Sequence, residues 1–383
     1  MAFIRSLQLT HFRCYETARL EGLTSGPVVL TGPNGAGKTN VLEAVSLLSP
    51  GRGLRGAKVS EMQRRGGDKP WVLSSEAETI YGAVRIGTGL DVNSATEKRI
   101  VRINGETAKA QTALAEYLAC VWLTPQMDRL FLEGSSARRK FLDRLIFAFD
   151  PGHAGRVTRY ENAMSQRSKI LRDNERPDPV WLDALEAQMA ETGIAIAAAR
   201  LEFMGILQQA CDQGAPEQET LFPRALMALR GTIEELLARA PALEVEDMFR
   251  YQLRDTRSAD ARTGGAATGP HKADLAVVYA AKNMPADQCS TGEQKALLIG
   301  ITLAHSRLMA AERGAPPILL LDEVAAHLDE NRRAVLYDIL LDLGGQVWMT
   351  GTDALLFAGL GERAHLFHVE NSALVKQSSL RAA

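Results

Sequence analysis

Two stretches of the chain place lysine, hydroxyl and carboxylate side chains where phosphate and metal chemistry needs them. The first, Thr31 to Asn40, reads T-G-P-N-G-A-G-K-T-N and has the spacing G-x-x-x-x-G-K-[ST]. It lies between an apolar run and a helical pattern, so a strand delivers a glycine turn to a helix N-terminus, where backbone N–H groups bind phosphate oxygens. In this interpretation Lys38 reaches the β- and γ-phosphates of a nucleotide, and the Thr39 hydroxyl ligates Mg²⁺.

The second stretch, Ile318 to Glu323, is an apolar strand that ends in two carboxylates. Asp322 can hold Mg²⁺ through water, and Glu323 can polarise an attacking water. Between the two stretches, Gln288 to Ile299 reads Q-C-S-T-G-E-Q-K-A-L-L-I, in which a Ser-Thr-Gly turn precedes an apolar helix and presents amides to an anion. An ordinary N-cap turn has the same composition, so this third stretch by itself supports both interpretations.

Size and composition restrict the classes of protein that remain. With 383 residues the chain exceeds the usual single domain, and two lobes are expected. The net charge of -2 requires any polyanion-binding surface to come from local clusters of basic residues. Four cysteines without a C-x-x-C pair favour a reduced, cytoplasmic location, and the absence of a long apolar run gives no support for membrane insertion.

The residues before the first helix and after it are expected to form β-structure. Alternation in Ala2 to Leu9 predicts an edge strand, followed by a turn and a second strand that ends at the glycine turn. Arg13 either folds over a bound nucleotide or is a solvated arginine at a strand end. Short alternating segments from Trp71 to Ile103 predict an antiparallel meander, and Asn104-Gly105 predicts a tight turn.

Basic residues are concentrated in two segments. Gly51 to Lys69 is a glycine-rich segment with six Lys/Arg against two Asp/Glu, and the helical segment Arg129 to Arg172 has ten against four. Within the second segment the cluster consists of Arg138, Arg139, Lys140 and Arg144. Both segments suit contact with a nucleic-acid backbone, and a solvated loop or helix face is the alternative for each.

A helical lobe interrupts the nucleotide-binding core. Pro177-Asp178-Pro179 must end any helix, and Trp181 to Ala210 reads as one long helix whose apolar stripe faces a partner helix. The helix before Pro177 is the obvious partner, which predicts a helical hairpin. The chain is therefore divided into an N-terminal part of the core at 1–124, a helical lobe at 125–255 and a C-terminal part at 256–383.

The order of these elements resembles that of the ABC-type ATPase heads and, within that superfamily, the RecF family of DNA replication and repair proteins. The resemblance runs along nearly the whole chain. The segments that carry it are L-T-H-F-R-C-Y (Leu9 to Tyr15), G-P-N-G-A-G-K-T-N (Gly32 to Asn40), P-Q-M-D-R-L-F-L-E-G-S-S-A-R-R-K-F-L-D (Pro125 to Asp143), G-P-H-K-A-D-L (Gly269 to Leu275), C-S-T-G-E-Q-K and L-L-L-D-E.

The resemblance implies an α/β fold, namely an ABC-type P-loop ATPase head with a mixed β-sheet core, an antiparallel β meander and an inserted α-helical lobe bearing a short antiparallel helical hairpin. It implies ATP and Mg²⁺ as cofactors, dimerisation on ATP and slow ATP hydrolysis. It further implies binding of single-stranded, gapped or junction DNA, and RecR and RecO as partner proteins in RecA loading and SOS induction.

Site residues follow from the resemblance motif by motif. Lys38 and Glu323 are the expected catalytic residues, and the metal is expected at Thr39, Asp322 and Gln126. Ser290 and Gly292 are expected to act on the nucleotide of the other protomer, and Asp329 to lie at the dimer seam. The expected nucleotide-binding residues are Gly32, Pro33, Asn34, Gly35, Ala36, Gly37, Lys38, Thr39, Arg13, Gln126, Ser290, Gly292 and Asp329.

Two positions depart from related sequences, and two other classes of protein share the P-loop. Lys272-Ala273 stands where the family usually has Arg-Asp, and Thr352 stands where transporter heads have a switch histidine, which fits weak hydrolysis.

The nucleotide-binding subunit of a membrane transporter is the main alternative, although Thr352 and the long helical arm argue against it. A P-loop kinase of a small metabolite gives no reason for the S-T-G-E-Q turn.

Overall fold

The computed structural model describes residues 2–92, 97–173, 178–213 and 221–377. Pro177, predicted to interrupt the helical hairpin, lies outside these ranges. The strands are β1 (Phe3–Phe12), β2 (Tyr15–Leu20), β3 (Pro27–Thr31), β4 (Val72–Thr79), β5 (Gly82–Leu90), β6 (Arg99–Ile103), β7 (Glu106–Thr107), β8 (Cys120–Leu123), β9 (Ala225–Arg230), β10 (Asp274–Tyr279), β11 (Met284–Pro285), β12 (Ile318–Leu321), β13 (Val347–Gly351), β14 (His365–Glu370) and β15 (Ala373–Gln377). The α-helices are α1 (Lys38–Ser46), α2 (Ser135–Phe149), α3 (Gly152–Asp173), α4 (Pro179–Asp212), α5 (Thr232–Leu237), α6 (Ala242–Asp255), α7 (Arg257–Thr263), α8 (Thr291–Arg313) and α9 (Glu330–Leu343).

The chain divides into two compact units that differ from the predicted boundaries. The first unit comprises 1–128, 215–222 and 302–383, and the second comprises 129–214 and 223–301. The second unit therefore takes in 256–301, which the sequence analysis placed with the C-terminal part of the core. The physical reason is strand pairing, because β10 pairs with β9 and with β11 and so stays with the helical lobe.

An antiparallel meander forms one sheet of the first unit. Its strand order is β2-β1-β4-β5-β6-β7, and the Asn104-Gly105 turn has positive φ at both residues, as a tight hairpin requires. The predicted meander is therefore present. The prediction of an edge strand near the N-terminus was wrong, because β1 pairs with both β2 and β4 and lies inside the sheet.

The second sheet of the first unit positions the candidate active site. Its order is β15-β14-β3-β13-β12-β8, with β3, β13, β12, β8 and β14 parallel and β15 antiparallel at the edge. In a parallel sheet the carboxyl ends of neighbouring strands meet at one edge, where loops bind ligands. Strand β13 is central in this sheet, and β14 and β15, which the sequence patterns did not predict, follow it.

A buried glutamine joins the two sheets of the first unit. Gln346 Oε1 accepts a hydrogen bond from the backbone N–H of Ile4 at 3.0 Å, and Gln346 Nε2 donates to the carbonyl oxygens of Ile4 and Thr24 at 2.9 and 3.0 Å. Around it Trp71, Trp348 and apolar side chains of both sheets form one continuous core. The P-loop strand is therefore held on a rigid support.

The second unit is built on the predicted helical hairpin. Helices α3 and α4 pack along each other through Leu171, Leu182 and Met189, and α6 completes their core. Among the described residues α4 is the one helix that is long and apolar enough to span a membrane. A single such helix is weak evidence, and the packing of α4 in this core accounts for its apolar composition.

Candidate active site

The glycine turn between β3 and α1 has a backbone that only glycine can adopt at two positions. Gly32 has a φ of 140°, and a Cβ atom there would lie 2.1 Å from the carbonyl oxygen of Val369. Gly37 has a φ of 115°, and its Cβ atom would lie 2.7 Å from Cys14 Sγ and from the Tyr15 hydroxyl. The turn is thus a close-fitting cradle whose backbone N–H groups are available to an anion.

Lys38 begins α1 and bends back over the turn. Its Nζ donates hydrogen bonds to the carbonyl oxygens of Gly32 at 2.7 Å and Pro33 at 2.9 Å, and the residue is 5% exposed. Burial lowers the pKa of Lys38, and the charges of Glu323 and Asp322 act in the opposite direction. The ammonium group therefore lies inside the cradle, where a phosphate would meet it.

Two hydroxyl groups meet the carboxylate at the end of β12. Thr39 Oγ1 donates to Asp322 Oδ1 at 3.0 Å, with Oδ2 at 3.1 Å, and Thr350 Oγ1 donates to Asp322 Oδ1 at 2.7 Å. The backbone N–H of Glu323 donates to Thr350 Oγ1 at 2.9 Å. Residues from three parallel strands and their loops thereby form one hydrogen-bonded group at the sheet edge.

Sequence reasoning missed Thr350. It is buried, and the register pairs it with Leu30 of β3, so β13 lies between the glycine turn and Asp322. A threonine next to the last residue of an otherwise apolar strand was the available signal. Thr352, considered as a substitute for a switch histidine, is exposed beyond the end of β13.

Glu323 has a backbone conformation that is rare for its type. Its φ is 54°, in the left-handed region that costs a non-glycine residue free energy. The hydrogen bond from its N–H to Thr350 stabilises this conformation. Such strain is typical of residues whose side chain must be aimed at a reacting group.

The residues present fit a magnesium nucleotide. A threonine hydroxyl and an aspartate carboxylate on adjoining elements are the oxygen ligands that Mg²⁺ prefers beside a phosphate. Gln126, a predicted metal ligand, is exposed in the short 3₁₀ helix Pro125–Arg129, which follows β8 at the same sheet edge. The backbone N–H of Asp322 donates to Leu123 O at 2.9 Å, which ties that edge to Asp322.

Asp329 and Ser290 both begin helices. Asp329 is exposed and caps α9, where its carboxylate accepts a hydrogen bond from the N–H of Arg332 at 2.8 Å. Ser290 belongs to the second unit and precedes α8, beside the half-buried Gly292. Ser290 and Glu293 form a capping box, with the Ser290 N–H and hydroxyl both 2.8 Å from Glu293 Oε2.

The capping box carries a strongly ionised carboxylate. Hydrogen bonds from Lys282 and then from Ser290 lower the pKa of Glu293 to about 2. The turn therefore stays ordered over the physiological pH range with Ser290 exposed to solvent. This geometry fits an ordinary N-cap and also a turn offered to a second molecule, so both sequence interpretations stand.

The four-residue cluster of the second basic segment does not face solvent as its sequence suggested. Arg138 makes two hydrogen bonds to Asp274, at 2.7 and 2.9 Å, and Arg139 donates to the carbonyl oxygen of Ala273 at 2.6 Å. Burial lowers the pKa of Arg144 to about 10. Of the four residues Lys140 alone is exposed, so this cluster presents little charge to a polyanion.

Arg138 and Arg139 join two motifs that are far apart in sequence. The R-R-K-F-L-D segment lies on α2, and the G-P-H-K-A-D segment leads into β10. Arg200 joins them from α4, since it binds the Asp143 carboxylate through two hydrogen bonds and the Pro270 carbonyl oxygen at 2.7 Å. Ala273 is fully buried, so the departure at this position falls inside the packing of the second unit.

The fold and the site together define an ABC-type P-loop ATPase head. The chain belongs to the family described as RecF/RecN/SMC N terminal domain, whose family model matches residues 3–373.

Curated relatives match over nearly their whole length. The chain is 48% identical to the DNA replication and repair protein RecF of Agrobacterium fabrum, over 96% of this chain and 97% of that protein. It is 48% identical to RecF of Rhizobium rhizogenes over 98% of each chain, and 49% identical to RecF of Allorhizobium ampelinum over 97% of this chain and 98% of that one. The predicted resemblance to the RecF family is therefore confirmed.

Solved structures share the fold. The recombination mediator protein RecF-ATPrS in the RecFOR pathway matches with a TM-score of 0.84 at 21% identity, covering 98% of both chains. An SMC head domain from Pyrococcus furiosus matches with a TM-score of 0.55 at 15% identity, over 99% of this chain and 97% of that one. The prediction of a DNA replication and repair protein with this α/β head is confirmed, and the transporter alternative is not supported.

Proposed function

We propose that the chain is an ATP-dependent switch that binds gapped or single-strand-containing DNA and hydrolyses ATP slowly. The observation that carries the proposal is the hydrogen-bonded group of Thr39, Asp322 and Thr350 beside Lys38. It places the P-loop hydroxyl on the carboxylate that follows β12, which is the geometry of a nucleotide-dependent ATPase. ATP appears in the description of a related RecF structure, which supports ATP as the nucleotide.

Within this proposal each residue has a defined task. Backbone N–H groups of Gly32 to Gly37 bind phosphate oxygens, and Lys38 neutralises the β- and γ-phosphates. Thr39 and Asp322 hold Mg²⁺ with Gln126, and the metal supplies charge that offsets the phosphates. Glu323 accepts a proton from the attacking water, and the action of its charge on Lys38 supports a place for its carboxylate beside the phosphate cradle.

The proposal includes a second copy of the chain. Ser290 and Gly292 of one protomer approach the nucleotide held by Lys38 of its partner, and Asp329 lies at the seam. The exposed Ser290 turn, already ordered by its capping box, supports this arrangement. We further propose a cytoplasmic location and RecR and RecO as partner proteins, because RecF-type relatives act in the RecFOR pathway by their descriptions.

Filter binding of a gapped duplex, with and without ATP and over a salt series, tests the proposed function. We expect ATP to strengthen binding and the logarithm of the association constant to fall linearly with the logarithm of salt concentration, because phosphate contacts release counterions. Binding that ignores ATP, or that has no salt slope, contradicts the proposal.

Two variants test the chemistry. Lys38→Ala removes the charge inside the cradle and is expected to abolish ATP binding. Glu323→Gln removes only the proton acceptor, so it is expected to keep ATP bound and to accumulate dimer. Gel filtration with ATP distinguishes these results, and a purely monomeric Glu323→Gln protein that has bound ATP contradicts the two-protomer site.

A further inference from the structure

A basic cleft of about 1000 Å³ opens beside α1 in the first unit. Arginines from two segments line it, namely Arg13 from the turn between β1 and β2, and Arg55, Arg64 and Arg65 from the basic loop of residues 51–69. Glu61 is the acidic residue among those lining it. The cleft therefore attracts anions.

A carboxylate of α1 holds two of the arginines that line this cleft. Glu43 has a fully buried side chain on α1. Its Oε1 accepts a hydrogen bond from Arg13 Nη2 at 2.5 Å, and its Oε2 accepts one from Arg13 Nε at 2.8 Å and one from Arg55 Nη1 at 2.7 Å. We call this group the Glu43 clamp. One carboxylate thus fastens two segments to the helix that begins at Lys38.

The two arms of the clamp are held differently. Arg13 makes a bidentate contact with Glu43, its side chain is 18% exposed, and its backbone N–H donates to the carbonyl oxygen of Met62 at 2.8 Å. Arg55 makes a single hydrogen bond to Glu43 and another to Asn40 Oδ1 at 2.7 Å, and its side chain is 37% exposed. Arg13 is therefore the fixed arm, and Arg55 is the arm that solvent and ligands can reach.

The connection to the nucleotide site runs along a single helix. Lys38, Thr39, Asn40 and Glu43 share the first turns of α1, so Glu43 lies one turn beyond the Thr39 hydroxyl that binds Asp322. A rigid helix transmits a displacement at its phosphate-binding end to the next turn. Among the described residues Arg55 makes the ion pair between the basic loop and α1, beside the hydrogen bond from the backbone N–H of Leu54 to Ser46 Oγ at 2.7 Å. Arg55 is therefore the charged contact through which such a displacement reaches the loop.

We propose that Glu43 is a positioning residue that couples nucleotide binding on α1 to the order of the basic loop through Arg55, and that DNA phosphates compete with Glu43 for Arg55. This inference rests on the proposed function. A phosphate oxygen is a strong acceptor for guanidinium, so it can replace the single bond to Glu43 without disturbing the bidentate contact of Arg13. ATP binding then acts on Glu43 through α1, and contact with the DNA backbone acts on Glu43 through Arg55.

Amide hydrogen exchange of residues 51–69, measured with and without ATP, tests the clamp in the full-length protein. In the unaltered protein we expect ATP to slow exchange in the loop by about tenfold, the effect of one charge-assisted hydrogen bond. Arg55→Ala is expected to lose that protection while keeping ATP binding. Arg55→Lys, which keeps the charge and can make one bond to Glu43, is expected to restore part of it.

Arg65→Ala is the matched control, because Arg65 lines the same cleft and lies in the same loop without a bond to Glu43. It removes an equal charge and is expected to keep the ATP-dependent protection. Glu43→Gln is expected to behave like Arg55→Ala, which separates loss of the clamp from loss of one positive charge. Since Arg55 is partly exposed, its variants remain informative if Glu43→Gln is unstable.

Equal protection in the Arg55→Ala and Arg65→Ala proteins overturns the inference. So does an unaltered protein that binds ATP without any change of exchange in the loop. Failure of the unaltered protein to bind gapped DNA defeats the proposed function instead, and the exchange comparison with ATP alone still decides whether the clamp exists.

Discussion

Two groups of arginine and carboxylate side chains, one in each unit, are buried to different degrees. In the first unit the Glu43 clamp has a buried carboxylate, but its arginines are 18% and 37% exposed. In the second unit Arg167 binds Glu186 and Asp260, each at 2.8 Å, and all three side chains are 1% exposed. Its remaining donors and acceptors are also satisfied inside the lobe, since Thr256 and the N–H of Ala267 donate to Asp260.

Because the two groups differ in exposure, the Arg167 group is structural, whereas a ligand can rearrange the Glu43 clamp. Arg167 joins α3, α4 and α7 through bonds that solvent does not reach, and Arg257, whose side chain is 18% exposed, adds a further ion pair to Glu186. The Glu43 clamp lies at the wall of a cleft, where an incoming phosphate can take one arginine. Enclosed groups should therefore control stability, and the open clamp should control the response to ligands.

The largest expected effect is on stability. Arg167→Ala leaves two buried carboxylates without their shared partner and is expected to lower the free energy of unfolding by about 3–5 kcal/mol. Urea denaturation monitored by circular dichroism measures this loss. A loss below about 1 kcal/mol would show that the enclosed group is dispensable and would remove the basis of the comparison.

A half-buried histidine makes the stability of the second unit depend on pH. Burial lowers the pKa of His271 to about 4, and its Nδ1 is 2.7 Å from the Tyr160 hydroxyl. Between pH 6.5 and 4 the unfolded chain therefore binds a proton that the folded chain excludes. The free energy of unfolding is expected to fall as pH drops through this window, by up to about 3 kcal/mol.

Urea denaturation at pH 7 and pH 5 of the unaltered protein and of His271→Gln isolates this contribution. The variant has no group titrating at this position, so its stability should change less between the two pH values. An identical change in both proteins would show that the pKa of His271 is the same in the folded and unfolded states.

Breaking the open clamp is expected to lower the free energy of unfolding by less than breaking the Arg167 group. Glu43→Gln keeps the shape and one acceptor, so a loss of about 1.5–3 kcal/mol is expected from weakened bonds to charged groups. The corresponding loss of ATP-dependent protection in residues 51–69 should be nearly complete. A protein that loses as much stability as Arg167→Ala while keeping the ATP response would reverse the roles of the two groups.

The smallest effect is expected at an exposed pair. Arg250 and Asp247 on α6 are 3.1 Å apart with side chains 57% and 66% exposed. Arg250→Ala is expected to change the free energy of unfolding by less than about 0.5 kcal/mol, because water screens the pair. The same denaturation experiment measures this change. A larger loss would show that the exposure of an ion pair does not predict its contribution to the free energy of unfolding.

Local patterns predicted the elements that carry the chemistry. Residue types at short spacing determine the local conformation of the backbone. They predicted the glycine turn, the apolar strand before Asp322 and Glu323, the antiparallel meander and the helical hairpin. Local patterns placed β1 wrongly at a sheet edge. They did not predict the two strands after β13 or the assignment of β10 to the second unit. Each depends on which strand pairs with which, and pairing partners are distant in sequence.

The sequence by itself determined that a phosphate cradle and a pair of carboxylates exist, because glycine conformations, strand alternation and helix starts are local properties of the chain. Only the tertiary structure decided that Thr350 lies between them, that Arg138 and Arg139 turn inward to Asp274 and Ala273, and that Glu43 holds Arg13 and Arg55. The physical reason is that a buried polar group must find partners, and packing selects those partners from anywhere along the chain.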